Sequence, residues 1–163
     1  EIEGLNDSKK LSEKNRLKLY KTIKQHALAY EVVYMDNEAV DELNVYKASQ
    51  VAMTKAVQAL KIVDYVLSDA LPLPAIKCPV ESIVKGDSKS ASIAAASILA
   101  KVERDGFMTD LSKRFPDYGF QNHKGDPTKA HLDALKVHGI TPYHRKTFAP
   151  VRKLIEAQIE FDL

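Results

Sequence analysis

The run Ile83-Val84-Lys85-Gly86-Asp87-Ser88-Lys89-Ser90, continuing into Ala, Ser, Ile and Leu and closing on Lys101-Val102-Glu103-Arg104-Asp105, constrains the fold more than any other part of this chain. It reads as a short β-branched strand, a polar turn and then a helix whose small side chains permit very close packing. An aspartate on the last turns of such a helix needs a physical reason. Asp69 poses the same question at the end of Tyr65-Val66-Leu67-Ser68-Asp69, because an inward-facing carboxylate is costly unless it meets a cation or hydrogen-bond donors. Two such carboxylates on neighbouring elements suggest a metal site, since Mg²⁺ takes a few carboxylates together with water and phosphate oxygens. The competing reading has Asp69 capping a turn and Asp105 pairing with Lys101 one helical turn earlier, and spacing alone leaves both open.

The rest of the chain supplies the elements around that run. Leu11, Leu17, Tyr20, Ile23 and Leu28 recur at near-helical spacing behind Ser12, which predicts a helix capped by Ser12 and reaching about Ala29. Tyr30 to Met35 is β-branched and aromatic and predicts a strand closed by Asp36-Asn37. Asp41 to Leu60 predicts an amphipathic helix, Tyr65 to Ser68 a strand, and Val80 to Val84 a third strand after a loop stiffened by Pro72, Pro74 and Pro79. A long helix over about Lys89 to Arg114 follows, then a loop from Gly119 to Pro127 and a helix from Thr128 to His138 stopped by Gly139. This order implies an α/β layer fold with some parallel pairing, and Asp69 lies where open α/β sheets collect ligands, beyond the carboxyl ends of strands. The expected division is a main domain over 1–140 and a basic appendage with a helical tail over 141–163.

With 163 residues, 45% of them hydrophobic and 28% charged, the chain is sized for one globular core. Its longest small-and-apolar run, Ser90 to Ala100, falls short of the roughly 18 residues a membrane span needs, so a cytoplasmic protein without a membrane partner is expected. Cys78 is the only cysteine, which excludes an intramolecular disulfide and suits a packed thiol. The net charge of +2 hides an uneven distribution. Lys9, Lys10, Lys14, Arg16, Lys18, Lys21 and Lys24 crowd one segment, and Lys124, Lys129, Lys136, Arg145, Lys146, Arg152 and Lys153 another. Basic segments flanking a carboxylate centre suit an anionic polymer, although two solvated helix faces would look the same.

Other constellations are weaker. Lys85 to Ser90 lacks the second glycine and the Gly-Lys-Ser/Thr order of a Walker A loop, leaving phosphate contact or a capped turn. His123, His131, His138 and His144 lack zinc-like pair spacing. Tyr143-His144-Arg145-Lys146-Thr147-Phe148 interleaves aromatic and basic groups, a pattern that grips nucleic-acid backbones or forms a surface turn.

Taken together, Gly4-Leu5-Asn6-Asp7-Ser8-Lys9-Lys10-Leu11-Ser12, Tyr65 to Asp69, Val84 to Ser88 with Ala94 to Val102 and Arg104-Asp105, Tyr118-Gly119-Phe120 with His123-Lys124-Gly125, and His144-Arg145 with Phe148 resemble bacterial ribonuclease HII over nearly the whole chain. The resemblance implies an RNase H-like mixed sheet flanked by helices and Mg²⁺ or Mn²⁺ as cofactor; a monomer is expected. It implies hydrolysis of RNA in RNA–DNA hybrids and of DNA duplexes containing ribonucleotides, cut on the 5′ side. Asp69 and Asp105 match two of the family's four metal-binding, catalytic acids, and this reading assigns Lys9, Lys10, Lys85, Ser88, Arg145 and Lys146 to the nucleic-acid backbone.

The chain also departs from the family pattern. The family's Asp-Glu pair and Ala-Gly-Arg-Gly loop lie on a first strand ahead of the Asp7-Ser8-Lys9-Lys10-Leu11 motif and are not in this sequence. Asp126 stands where relatives usually carry a tyrosine that packs on a sugar, and Ala70 where glycine is common. Without the first strands, the strand bearing Asp69 is expected to expose ladder groups, Tyr30 to Met35 to be left without a strand partner, and the chain alone to be poorly stable. An upstream segment or a truncated form accounts for this equally, and a truncated form would be an inactive nucleic-acid-binding module.

Overall fold

The computed structural model describes residues 2–161, which form two compact units. The first runs to Tyr34 and resumes over Ser49–Arg104; the second comprises Met35–Ala48 and the chain from Asp105 onward.

In the first unit, helix α1 (Glu13–His26) starts where Ser12 Oγ accepts from the Asn15 N–H at 3.3 Å, with Glu13 in its first turn and Lys24 and His26 in its last. That charge order complements the helix dipole. Leu19 and Ile23 are buried with Ile98 and Leu99 of helix α3 (Ala91–Arg114), and the small residue Ala95 lies against this cluster. Strands β1 (Val66–Asp69) and β2 (Val80–Ile83) pair in parallel, from Val66 opposite Val80 to Asp69 opposite Ile83. The Ser68 and Ser82 hydroxyls, 3.1 Å apart, both donate to the Leu71 carbonyl, at 2.6 and 3.0 Å, which locks the turn after β1 to both strands.

Tyr30 to Met35 is not a strand. Residues 29–36 carry no regular structure, because among the described residues no backbone ladder meets them and side chains hold them instead. Lys24 Nζ sits 4.9 Å from the Tyr30 ring centroid, and the Tyr34 hydroxyl donates to Glu103 at 2.9 Å. Other boundaries shift less. Helix α1 ends three residues before Ala29, β1 extends to include Asp69, and β2 ends at Ile83.

Helix α2 (Asn37–Ala59) begins four residues before Asp41, since the Asp36 carboxylate accepts from the Ala39 N–H at 2.8 Å. It is broken at Asn44, whose φ of 66° and ψ of 165° lie in a region that side chains rarely occupy. The Asn44 side chain then accepts from the Lys47 N–H at 3.0 Å and starts the helix again. The second unit is built on Met108, Leu111, Tyr118, Phe120, Leu135 and Val151. The expected loop from Gly119 to Pro127 contains a short helix, α4 (Phe120–His123), flanked by Gly119 and Lys124 at φ of 67° and 52°. Helix α5 (Lys129–His138) is capped by Thr128 and closed by Gly139 at φ 76°, and helix α6 (Ala149–Phe161) packs against α5 through Val151.

Candidate functional site

Asp69 ends β1, and its side chain is fixed by the turn that follows β2. Lys85 adopts a left-handed conformation (φ 55°), which swings the chain into a 3₁₀ turn over Gly86–Ser88 and aims the Gly86 N–H at Asp69 Oδ1, 2.9 Å away. Lys85 and Ser88 are exposed on this turn. The Asn6 segment and Asp87 to Ser90 line one cleft of about 240 Å³, so two motifs far apart in sequence share a wall. Lys9 and Lys10 are exposed on a turn that Asp7 closes through its carboxylate and carbonyl, each 2.9 Å from a lysine N–H. Arg16 donates to the Ser8 and Leu11 carbonyls at 2.9 and 2.5 Å and so holds this turn on α1. Sequence reasoning counted Arg16 only as charge; its position four residues after the Ser12 cap is the signal that places it under the turn.

In the second unit, Asp105 opens the later half of α3, where its carbonyl accepts from the Thr109 hydroxyl at 2.9 Å. The basic segment bearing Arg145 and Lys146 is pinned at two points on α2. Asn37 donates to the Pro142 carbonyl at 2.9 Å, and the Asp41 carboxylate accepts from the Lys146 N–H at 2.6 Å, the Thr147 N–H at 3.0 Å and the Thr147 hydroxyl at 2.5 Å. Burial pushes the Asp41 carboxyl up, but these donors and Arg145 outweigh it and hold the group below the usual carboxylate range. With its backbone committed to Asp41, the Lys146 side chain is exposed, while the Arg145 guanidinium lies over Phe148 at 5.7 Å. The structure thus brings Asp69 to the Lys85–Ser88 turn and Arg145 with Lys146 to α2; Asp69, Lys9, Lys10, Lys85 and Ser88 belong to the first unit and Asp105, Arg145 and Lys146 to the second.

Three histidines that sequence reasoning left scattered converge in the second unit. His123, His131 and His144 are buried, the first two stacked with centroids 4.4 Å apart. His131 Nδ1 is 2.9 Å from the Asp126 carbonyl, His144 Nδ1 accepts from the Thr141 N–H at 2.9 Å, and the two Nε2 atoms meet at 3.0 Å. A carbonyl only accepts and an N–H only donates, so His131 carries its proton on Nδ1 and His144 on Nε2, donating to His131. Burial, then the His131 charge, pushes His144 down to about 4, and burial lowers His131 as well. Asp126, the departure from the family pattern, presents its backbone to this core and its side chain to solvent.

A family model described as ribonuclease HII matches residues 2–151. The chain belongs to the ribonuclease HII family. Among curated ribonuclease HII proteins it is 53% identical to that of Clostridioides difficile, over 90% of this chain and 58% of the relative, and 49% identical to that of Oceanobacillus iheyensis, over 92% and 58%. The relative from Marinomonas is 50% identical, over 95% and 79%. This chain thus spans little more than half the length of several ribonuclease HII relatives. The crystal structure of ribonuclease H2 from Pyrococcus horikoshii superposes with a TM-score of 0.78 at 25% identity, covering 94% of this chain and 81% of that one. The fold is RNase H-like, as the motifs implied.

Members of the ribonuclease HII family are expected to hold divalent metal. Asp69 fits a metal ligand: one oxygen is tied to Gly86, and the other makes no hydrogen bond among the described residues. No group of three or more His, Cys, Asp or Glu side chains poised to hold a metal occurs among those residues, so a complete ligand set is not assembled from them.

Proposed function

We propose that this chain carries part of a metal-dependent ribonuclease H of the second type. The proposed activity is endonucleolytic hydrolysis of the RNA strand of RNA–DNA hybrids and cleavage 5′ of ribonucleotides embedded in duplex DNA. Membership of the ribonuclease HII family, at about half identity over nine-tenths of the chain, is the observation that carries the reading. Asp69 and Asp105 are the proposed metal ligands. Mg²⁺ or Mn²⁺, bound as a pair with further acids, would activate water and offset charge on the leaving 3′ oxygen.

The chain's own residues contribute binding and orientation. The exposed Lys9, Lys10 and Lys85, with Ser88, would meet phosphates beside Asp69, while Arg145 and Lys146 would meet phosphates on the second unit. Phosphate contacts of this kind fix register on the duplex without reading sequence. No helix among the described residues is long and apolar enough to cross a membrane. The proposed working state is a cytoplasmic monomer.

The test uses the complete gene product and a duplex with one ribonucleotide. Mg²⁺-dependent cleavage 5′ of the ribonucleotide, abolished by Asp69→Asn with hybrid binding retained, is the expected result. Binding with steep salt dependence but no cleavage at any metal concentration would reject the nuclease reading in favour of a binding module.

A further inference from the structure

Gly86 joins β1 to the start of α3 through both of its backbone polar groups. Its N–H donates to Asp69 Oδ1 at 2.9 Å, and its carbonyl accepts from the N–H groups of Lys89 at 2.9 Å and Ser90 at 2.8 Å, immediately ahead of α3. The residue is buried and does not occupy the positive-φ region, so backbone conformation does not require glycine here. Space does. A Cβ at this position would lie 2.5 Å from Ile93 Cδ1, 3.3 Å from Ile93 Cγ2 and 3.4 Å from Asp69 Oδ1. Ile93 is itself buried in the first turn of α3, so its side chain has little room to give.

A carboxylate on a short side chain can rotate and offer either oxygen. A donor fixed on Oδ1 removes that freedom, leaving the other oxygen in a defined direction, which is what supporting hydrogen bonds do for metal-binding carboxylates. We infer that Gly86 is a positioning residue for Asp69: its amide sets the carboxylate, and because the Ile93 side chain fills the space a Cβ would need, only glycine lets that amide reach it. The inference rests on the reading of Asp69 as a metal ligand.

The experiment compares Gly86→Ala, Ile93→Val, the double variant and Asp69→Asn in the complete gene product. Mn²⁺ affinity is read by water-proton relaxation, and kcat and KM are measured on a duplex with one ribonucleotide. Gly86→Ala is expected to weaken Mn²⁺ binding about tenfold or more and to lower kcat with KM for the duplex nearly unchanged. Ile93→Val removes Cδ1, so the double variant should recover most of both, and Ile93→Val alone should match wild type. Wild-type Mn²⁺ affinity in Gly86→Ala, with Asp69→Asn impaired, overturns the positioning role. Asp69→Asn that binds Mn²⁺ and cleaves like wild type instead overturns the assignment of Asp69 as a ligand. Should Gly86→Ala not fold, amide exchange decides: the Gly86 N–H must be slow in wild type and fast in Asp69→Ala, and equal rates overturn the inference.

Discussion

The Nε2 atoms of His131 and His144 lie 3.0 Å apart in the buried part of the second unit, and only one proton fits between them. Backbone groups occupy the other nitrogens, so adding a proton to His144 breaks its bond from the Thr141 N–H. The folded pKa of His144, about 4, lies below the ordinary 6.5, so the unfolded chain binds more protons between those values. The stabilisation is therefore complete above about pH 6.5 and is lost as pH falls toward 4, by roughly 3 kcal/mol across the window. His131, lowered mainly by burial, acts in the same direction. Urea midpoints at several pH values should show wild type and His144→Gln converging as pH falls from 7 to 4.5; a constant gap between them contradicts this.

Lys146→Ala should weaken hybrid binding alike for all sequences and reduce the slope of log K against log salt by about one phosphate's worth. Fluorescence anisotropy from 50 to 200 mM salt measures it. An unchanged slope places Lys146 away from the phosphates.

Asp41→Asn should free the Lys146 and Thr147 amides without touching either lysine or arginine charge, because three donors converge on that carboxylate. Faster hydrogen exchange at Lys146 and Thr147, with a loss of hybrid affinity smaller than that of Lys146→Ala, is expected. Exchange as slow as in wild type would show that Asn37 alone pins the segment.

Ile98 is completely buried among α1 and α3 side chains, and Leu135 is 1% exposed in the second unit's core. Ile98→Ala and Leu135→Ala should each cost about 2–5 kcal/mol, the range for a buried aliphatic cut to a methyl. Chemical denaturation tests both, and a loss under 1 kcal/mol at either site would mean that its surroundings collapse onto the gap.

Much of this was legible in the sequence wherever the signal is local. Ser12, Thr128 and Gly139 mark helix ends because capping needs only neighbouring backbone. The strand, turn and helix around Gly86 were read correctly, since β-branched residues, a polar turn and small side chains each act within a few positions. Tyr30 to Met35 failed for the opposite reason: β-propensity is realised only when a partner ladder is present, and here tyrosine contacts hold the segment. The histidine cluster was missed because its members come from α4, α5 and the following loop. One hint was available, for His131 lies four residues before Leu135 and shares its inward face. The grip of Asp41 on Lys146 and Thr147 spans about a hundred positions and carries no local signature.

Strands β1 and β2 pair only with each other among the described residues, so each keeps one flank of amide and carbonyl groups without a strand partner. Four-residue strands with Leu67 at the surface form a small template onto which another extended backbone can add. The consequence is colloidal: a strand edge of this kind favours association with another extended chain, which dilution and added charge oppose.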